Sequence, residues 1–205
     1  MTTKGKLKMF FDIENEDLKL IEKYEENIFF FNDLLKNGHK EDIEFVIPIK
    51  MYKYANPLEK KGYYNKAFKV LDEIEKDLEK LRGQSKWHGM YSEGVLFLKG
   101  VCLGRLKKYR KSNKYFKQLV VKKPINDNFV DWYKSNKKHQ IEKISNYIIV
   151  VAMIIYIICV ILNITNILTF RIPLIVEILA FSIGTGTWII SYIWKKIIDK
   201  QETTY

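Results

Sequence analysis

Two long apolar runs dominate the last third of the chain. The first extends from Tyr147 to Leu162 without a charged residue, and the second extends from Ile172 to Trp194 with Glu177 as its only charge. A helix rises about 1.5 Å per residue and the hydrocarbon core of a bilayer is about 30 Å thick. The second run is long enough to span that core, and the first needs a few flanking residues. Because the connection 163–171 can reverse the chain direction, the pattern predicts a transmembrane helical hairpin.

A buried helical hairpin in a soluble protein is the alternative interpretation, since core helices can also be apolar on all sides. The length of the two runs argues against it. Trp188, Tyr192 and Trp194 cluster at the basic end of the second run, as aromatic residues do at a membrane interface. The membrane hairpin is therefore the favoured interpretation.

The part of the chain before the runs has the periodicity of amphipathic helices. Apolar residues recur every three or four positions in five segments. These segments begin near Glu16, Glu41, Tyr64, Met90 and Tyr109. Asn37-Gly38 predicts the end of the first helix, Pro57 predicts a kink or break near Asn56, and Pro124 ends the last helix. The sequence thus predicts an all-α fold.

Two details of the N-terminal region are less determined by periodicity. Within residues 1–14, Met9-Phe10-Phe11 is compatible with a strand or with packing at the start of the first helix, and both remain open. Phe29 and Phe30 lie off the main apolar face of that helix. We therefore expect the helix to pack on two sides and to cover one end of the domain.

Two segments at an offset of 45 residues share a spacing of small and aromatic residues. The clearer one contains Gly100, Tyr109, Ser112, Phe116 and Pro124. The weaker one contains Ala55, Gly62, Tyr64, Ala67 and Leu71 and has no closing proline. This spacing resembles that of the tetratricopeptide repeat family, although the usual period is 34 residues. The resemblance covers about residues 45–126, and 128–144 begins like a third repeat that continues into the first apolar run.

The resemblance implies how these residues are used. Small residues would let paired helices approach closely, and aromatic residues would fill the gap between neighbouring repeats. The first helix of each pair would line a concave groove that binds a peptide. In this chain the groove would be formed by Tyr52, Asn56, Phe97 and Val101. An apolar peptide or a partner helix is the expected ligand, and the alternative is that Phe97 and Val101 belong to an ordinary core.

The net charge of +11 is concentrated just before the first apolar run. Residues 1–104 carry 18 basic and 18 acidic side chains, whereas residues 105–143 carry 13 and 3. An anionic membrane surface and a nucleic acid both attract such a cluster, and its position beside the hairpin favours lipid head groups over nucleic acid. The lysines expected to face lipid are Lys134, Lys137, Lys138, Lys143, Lys195 and Lys196. By the positive-inside rule both termini are expected in the cytoplasm.

Catalytic chemistry has no support in the sequence. His39, His88 and His139 are far apart, and neither Cys102 nor Cys159 has metal-ligand spacing around it. Glu73 and Asp77 are expected on the solvated face of their helix. We therefore predict no enzyme activity, no metal and no cofactor.

The second apolar run carries its small and polar residues on one helical seam. The seam consists of Glu177, Ala180, Gly184, Thr187 and Ser191, at spacings of three and four. Small residues allow close helix packing in lipid, and an intramembrane carboxylate is costly. One interpretation is that the seam packs on the first helix or on a partner subunit, with Glu177 reaching water or Arg171. The other is that several copies turn the seam inward and line a pore.

Together these patterns predict four regions. They are a cytoplasmic tetratricopeptide-like domain at 1–126, a basic juxtamembrane helix at 127–146, a transmembrane hairpin at 147–194 and a cytoplasmic tail at 195–205. The favoured function is a membrane-anchored, homo-oligomeric module that recruits or senses a protein partner. The alternative is a pore-forming or membrane-perturbing effector of the bacterial defence type. Abundant Lys, Ile, Asn and Tyr point to an AT-rich genome, and hence to a bacterial inner membrane.

Overall fold

The computed structural model describes Gly5 and residues 16–83, 87–164 and 172–200, and its regular elements over these residues are all helical. The first helices are α1 (Asp17–Glu26), α2 (Ile28–Asn37) and α3 (Lys40–Pro48), and α3 continues into a π-helix (Ile49–Ala55) and α4 (Asn56–Lys60). They are followed by α5 (Tyr64–Glu79), α6 (His88–Arg105), α7 (Tyr109–Lys122), α8 (Asp127–Ile164) and α9 (Ile172–Lys200). The all-α prediction is confirmed. Residues 1–4, 6–15, the loop around Arg171 and the end of the tail lie outside the described residues, as do the predictions made for them.

The chain divides into two compact units, Met1–Phe129 and Val130–Tyr205. Helix α8 begins at the end of the first unit and runs without interruption into the second, so the predicted continuity with the first apolar run is confirmed. Helix α9 extends to Lys200, six residues beyond the predicted end of the hairpin. The boundary placed before the tail at 195 therefore falls inside a helix.

The first unit is built around an aromatic stack. Tyr24 of α1 is almost fully buried and lies between Phe31 and Tyr54, with ring centroids 4.6 and 4.2 Å apart. These rings come from α1, α2 and the π-helix. The stack fixes the N-terminal helices against the first of the two helical pairs, as expected for a segment that covers one end of the domain.

The predicted single helix from Glu16 to Asn37 is interrupted at Asn27. The Asn27 amide donates a hydrogen bond to the Lys23 carbonyl at 2.9 Å and so competes with regular helix geometry. Phe30 packs against the core, but the Phe29 side chain is 87% exposed. The expectation that Phe29 packs on a second side of the helix is wrong, because the turn at Asn27 directs it to solvent. The predicted stop at Gly38 is confirmed.

Pro57 is accommodated by a π-helix and not by a sharp break. In a regular α-helix the proline ring clashes with the carbonyl four residues earlier, and the missing N–H removes one hydrogen bond. The wider turns of the π-helix at Ile49–Ala55 lie immediately before this point. We attribute the wider turns to Pro57. The wider turns change the direction in which the side chains of the π-helix point relative to those of α3.

The two helical pairs have the same turn geometry at an offset of 45 residues. The N–H of Tyr63 donates to the Leu58 carbonyl, and the N–H of Lys108 donates to the Leu103 carbonyl, at 2.8 and 2.9 Å. Just before them, Gly62 and Lys107 both have positive φ, +86° and +57°. This hydrogen-bond pattern ends a helix with a left-handed residue. The two turns therefore share their backbone geometry at the offset read from the sequence.

The second pair shows why small residues occur at the repeat positions. A Cβ placed on Gly100 would lie 2.8 Å from Phe116 Cε2, so α6 approaches α7 where no side chain intervenes. The Ser112 hydroxyl donates a 2.6 Å hydrogen bond to the Gly100 carbonyl. In the first pair Ala55, Ala67 and Leu71 are fully buried, and in the second Ser112 and Phe116 are fully buried.

The second unit contains an antiparallel helical pair. The Lys138 ammonium pairs with Asp199, and the Lys195 ammonium lies 3.6 Å from Glu142, so residues 138–142 of α8, just before its apolar run, lie beside the end of α9. Both helices are long and apolar enough to cross a membrane, and only 17% and 11% of their most apolar windows are buried. Core helices of soluble proteins are mostly buried, so this exposure favours the membrane interpretation.

Candidate interaction groove and membrane hairpin

The first unit has a groove on the side formed by the leading helix of each pair. Tyr52 and Asn56 come from the π-helix and α4, Phe97 comes from α6, and all three line a cavity of about 340 Å³. The remaining lining residues are Met90, Glu93, Gly94, Leu98 and Phe129. Three of the four residues expected in the groove are thus together. Val101 does not line it, and its side chain is only 5% exposed. It belongs to the packed interior, which was the alternative interpretation.

Phe97 connects the groove to the core. Its ring meets the Phe116 ring edge-on at 5.8 Å and lies 5.6 Å from the ring of Phe129, at the start of α8. Phe116, which is fully buried, therefore supports the Phe97 side chain that lines the groove. Because Phe97 is held on two sides, it offers a fixed apolar surface to a ligand.

The sequence interpretation missed several groove residues that share a helical face with Phe97. Met90, Glu93 and Gly94 precede Phe97 by seven, four and three positions, which is the spacing of one face of α6. That spacing could have identified them. Phe129 lies within 128–144, which the sequence predicts as the start of a third repeat.

The groove has few polar groups. Glu93 pairs with Lys123 at 2.5 Å, which neutralises the one carboxylate in the lining. Burial raises the pKa of Tyr52, so its hydroxyl stays protonated and can donate a hydrogen bond. The Asn56 amide can both donate and accept. An apolar surface with amide and hydroxyl groups suits a peptide or a helix better than it suits acid–base chemistry.

Helix α5 is held from both sides by buried lysines. Lys50 donates to Glu73 at 2.8 Å and lies 3.9 Å from Asp77, while Lys99 pairs with two carboxylates on the other side of α5. The Asp77 side chain is only 14% exposed. The expectation that it lies on a solvated face is wrong, because Lys50 and Lys80 both pair with it, Lys80 at 2.8 Å, whereas the Glu73 side chain is exposed.

Lys99 is the more deeply buried of the two lysines, with a side chain 2% exposed. Its ammonium lies 2.5 Å from Asp72 and 2.6 Å from Glu75. Burial by itself lowers the pKa of Lys99, but the hydrogen bonds that it donates to these carboxylates, together with their negative charge, outweigh the effect of burial, and the net pKa is raised. The charge is thus stabilised by its partners, which fixes α6 against α5.

The seam of α9 lies largely against α8. Ala180 and Ser191 are buried, Thr187 is half-buried, and a Cβ on Gly184 would lie 3.9 Å from the Cβ of Ala152 in α8. This arrangement is the one expected if the seam packs within its own hairpin. Glu177 Oε1 is enclosed and has no hydrogen-bond partner among the residues that the structure describes.

The lysines expected to face lipid have different roles. Lys138 and Lys195 form ion pairs between α8 and α9, while Lys137 and Lys196 lie over the rings of Tyr133 and Tyr192 at 4.6 and 5.7 Å. Lys134 is half-exposed and Lys143 is exposed. At the same end, the rings of Trp188 and Tyr192 stack at 6.4 Å, and Trp188, Tyr192 and Trp194 are all exposed. The basic end of the hairpin therefore combines interhelical ion pairs with exposed aromatic residues.

No protein-family model, no curated protein and no solved structure matches this chain. Within the described residues there is no group of three or more His, Cys, Asp or Glu side chains that could hold a metal ion.

Proposed function

We propose that this protein is a membrane-anchored interaction module whose groove binds an apolar peptide or helix of a partner protein. The observation that carries the proposal is the groove itself, in which Tyr52, Asn56 and Phe97 meet on the leading helices of two repeated pairs. The repeated turn geometry supports a tetratricopeptide-like assignment, in which such grooves receive peptides. Two exposed apolar helices provide the anchor.

The proposed orientation places both termini in the cytoplasm. It is supported by the ion pairs Lys138–Asp199 and Lys195–Glu142, which bring the basic flanks of α8 and α9 to the same end. Basic flanks are retained on the cytoplasmic side of membranes. The composition of the chain supports a bacterial inner membrane as the location.

Site-specific photocrosslinking tests the proposed groove. A benzoyl-phenylalanine at Tyr52 in the full-length protein should give one discrete adduct in cells, and Phe97→Ala in the same chain should abolish it. Tyr63 is the matched control, since it is an exposed tyrosine of the same unit that does not line the groove. Equal adducts at both positions, or adducts that persist with Phe97→Ala, would exclude the groove as the binding site.

Glu177 favours a second candidate, an oligomer that perturbs the membrane. An enclosed carboxylate oxygen without a described partner is costly in a membrane, and contact with other copies could satisfy it. The packing of Gly184 against Ala152 favours the anchor, because that part of the seam is already used. The candidate requires a discrete oligomer in mild detergent and ion flux through liposomes that Glu177→Gln changes. A monomeric protein that produces no ion flux would exclude this candidate and leave the membrane anchor as the proposed role of the hairpin.

A further inference from the structure

One stretch of the first unit has an extreme charge composition. Residues 105–123 carry nine Lys and Arg and no Asp or Glu. Most of this stretch is α7, whose first turn has no acidic residue. A surface helix normally mixes both signs of charge, and Asp or Glu is favoured in the first turn. At the two ends of the stretch, Arg105 and Lys123 pair with Glu59 and Glu93, so the cations between them are the candidates for binding an external anion.

The structure places part of this charge in a second groove. Lys69 of α5 and Lys108, Lys111 and Lys114 at the start of α7 line a cavity of about 730 Å³. The apolar wall of this cavity includes Phe68 and Leu106. The cavity thus combines four lysine side chains with an apolar surface, and it shares no lining residue with the groove at Tyr52.

These four lysines differ from the buried lysines of the same unit. Lys50 and Lys99 each reach two carboxylates. In contrast, the ammonium groups of the four lysines that line the second groove have no ion-pair partner among the residues that the structure describes. The unit pairs its interior cations but leaves this cluster uncompensated.

The geometry of the cluster is unfavourable unless an anion is present. Lys108, Lys111 and Lys114 are spaced three residues apart, so they lie on neighbouring positions of one helical face and repel one another. Lys108 and Lys111 also stand at the positive end of the α7 dipole, where cations are disfavoured. A bound anion would relieve both effects at once.

We propose that the groove between α5 and α7 binds an organic phosphate, with its phosphate groups on Lys108, Lys111 and Lys114 and its less polar part against Phe68 and Leu106. The ammonium groups supply charge-assisted hydrogen bonds to phosphate oxygens. The apolar wall favours a ligand that carries more than phosphate. A free nucleotide-like compound and the head group of a phospholipid share this chemistry, and binding experiments separate the two sources.

The test uses the full-length protein in nanodiscs of neutral phosphatidylcholine, with calorimetric titration of three probes. The probes are ATP, inorganic pyrophosphate and water-soluble dihexanoyl phosphatidic acid. Binding of ATP in preference to the lipid identifies a free organic phosphate, and the reverse preference identifies a head group. Either result supports the site, and absence of binding by all three probes overturns it.

Paired substitutions on one helix locate the binding. Lys111→Gln with Lys114→Gln removes two charges from the groove and should weaken binding about tenfold or more, as expected for the loss of hydrogen bonds to a charged group. Arg110→Gln with Lys117→Gln removes two charges from α7 outside the groove and should change affinity less than about threefold. Equal weakening by the two pairs would show diffuse surface attraction and overturn the proposal.

A measurement on the unmodified chain avoids any effect of substitution on folding. The bound probe should slow acetylation of Lys111 and Lys114 by an N-hydroxysuccinimide ester and leave Lys117 unaffected, as read by peptide mass spectrometry. Uniform protection of all three lysines, or protection of none, contradicts the proposed site.

Discussion

The close approach of α6 and α7 makes Gly100→Ala the most informative single substitution in the first unit. The added methyl group would lie 2.8 Å from Cε2 and 2.9 Å from Cζ of Phe116. Ordinary carbon–carbon contacts are about 3.5–4.0 Å, so one helix or the ring has to move by more than half an ångström. The ring has little freedom, because Phe116 is fully buried and meets Phe97 edge-on.

Two opposing effects determine the magnitude. Replacing glycine by alanine within a helix stabilises it by about 0.8–1.0 kcal/mol, whereas overpacking a core costs about 1–3 kcal/mol. Gly94 in the same helix separates the two effects. A Cβ there would lie 3.1 Å from the terminal methyl of Met51, the end of an unbranched side chain that needs to move by only a few tenths of an ångström. The difference between Gly100→Ala and Gly94→Ala therefore approximates the overpacking cost.

Cys102 provides the assay, because it lies in α6 two residues from Gly100. Its thiol is fully buried, and burial, with a smaller contribution from Glu59, raises its pKa to about 12. A thiol that stays protonated and enclosed reacts with iodoacetamide only when α6 opens. At pH 8 the alkylation rate of Cys102 in the full-length protein, followed by peptide mass spectrometry, thus reports the free energy of local opening.

We expect alkylation of Cys102 to be about 5- to 150-fold faster in Gly100→Ala than in Gly94→Ala, which corresponds to about 1–3 kcal/mol. Adding Phe116→Leu to Gly100→Ala should recover part of this loss, since leucine leaves room for the methyl group. Equal rates in the two alanine variants would refute the argument from close packing. A double variant whose effects simply add would refute the role of Phe116.

Three further predictions concern the hairpin, the buried lysine and the second turn. Ala152→Cys with Gly184→Cys should form an intramolecular disulfide, since a Cβ–Cβ distance of 3.9 Å suits one. The control pair Ala152→Cys with Gly186→Cys should not form one. A disulfide-linked dimer would instead indicate that the seams of two copies are in contact. Lys99→Met should lower the denaturant midpoint at pH 7. Because the pKa of Lys99 is raised in the folded state, its ion pairs stabilise the protein fully below the unfolded pKa near 10.5, and this stabilisation is lost as pH rises through the folded pKa. The difference in denaturant midpoint between Lys99→Met and the wild type should therefore narrow at high pH. Lys107→Gly should leave the α6–α7 turn intact and should not destabilise it. The left-handed conformation costs lysine about 1–2 kcal/mol, whereas the greater unfolded-state entropy of glycine costs about 0.5–1 kcal/mol. Alkylation of Cys102 should therefore be slower than in the wild type or unchanged.

Sequence periodicity predicted what depends on local spacing. The helix ends at Gly38 and before Pro124, the long α8 and the offset of 45 residues follow from patterns within a few turns of helix. The repeat spacing predicted that Tyr52 and Phe97 share one surface, and both line the same cavity. These features are set by which residues share a helical face.

The features that were missed depend on neighbours distant in the chain. Lys50 and Lys99 find their carboxylates 23 and 24 residues away, and no local pattern predicts such a pairing. Val101 lies one turn after Phe97, yet it is covered by the packed interior.

The repeat itself shows how the sequence can change while the backbone is retained. At equivalent positions the first pair has Ala55 and Leu71, and the second has Gly100 and Phe116. The larger side chain of the second pair is matched by a smaller one on the facing helix, where a methyl group would meet the Phe116 ring. The Phe116 ring also packs edge-on against the ring of Phe97. The larger residue on α7 and the smaller residue on α6 thus support the groove, because the Phe116 ring that requires glycine at position 100 also packs against Phe97, which lines the groove.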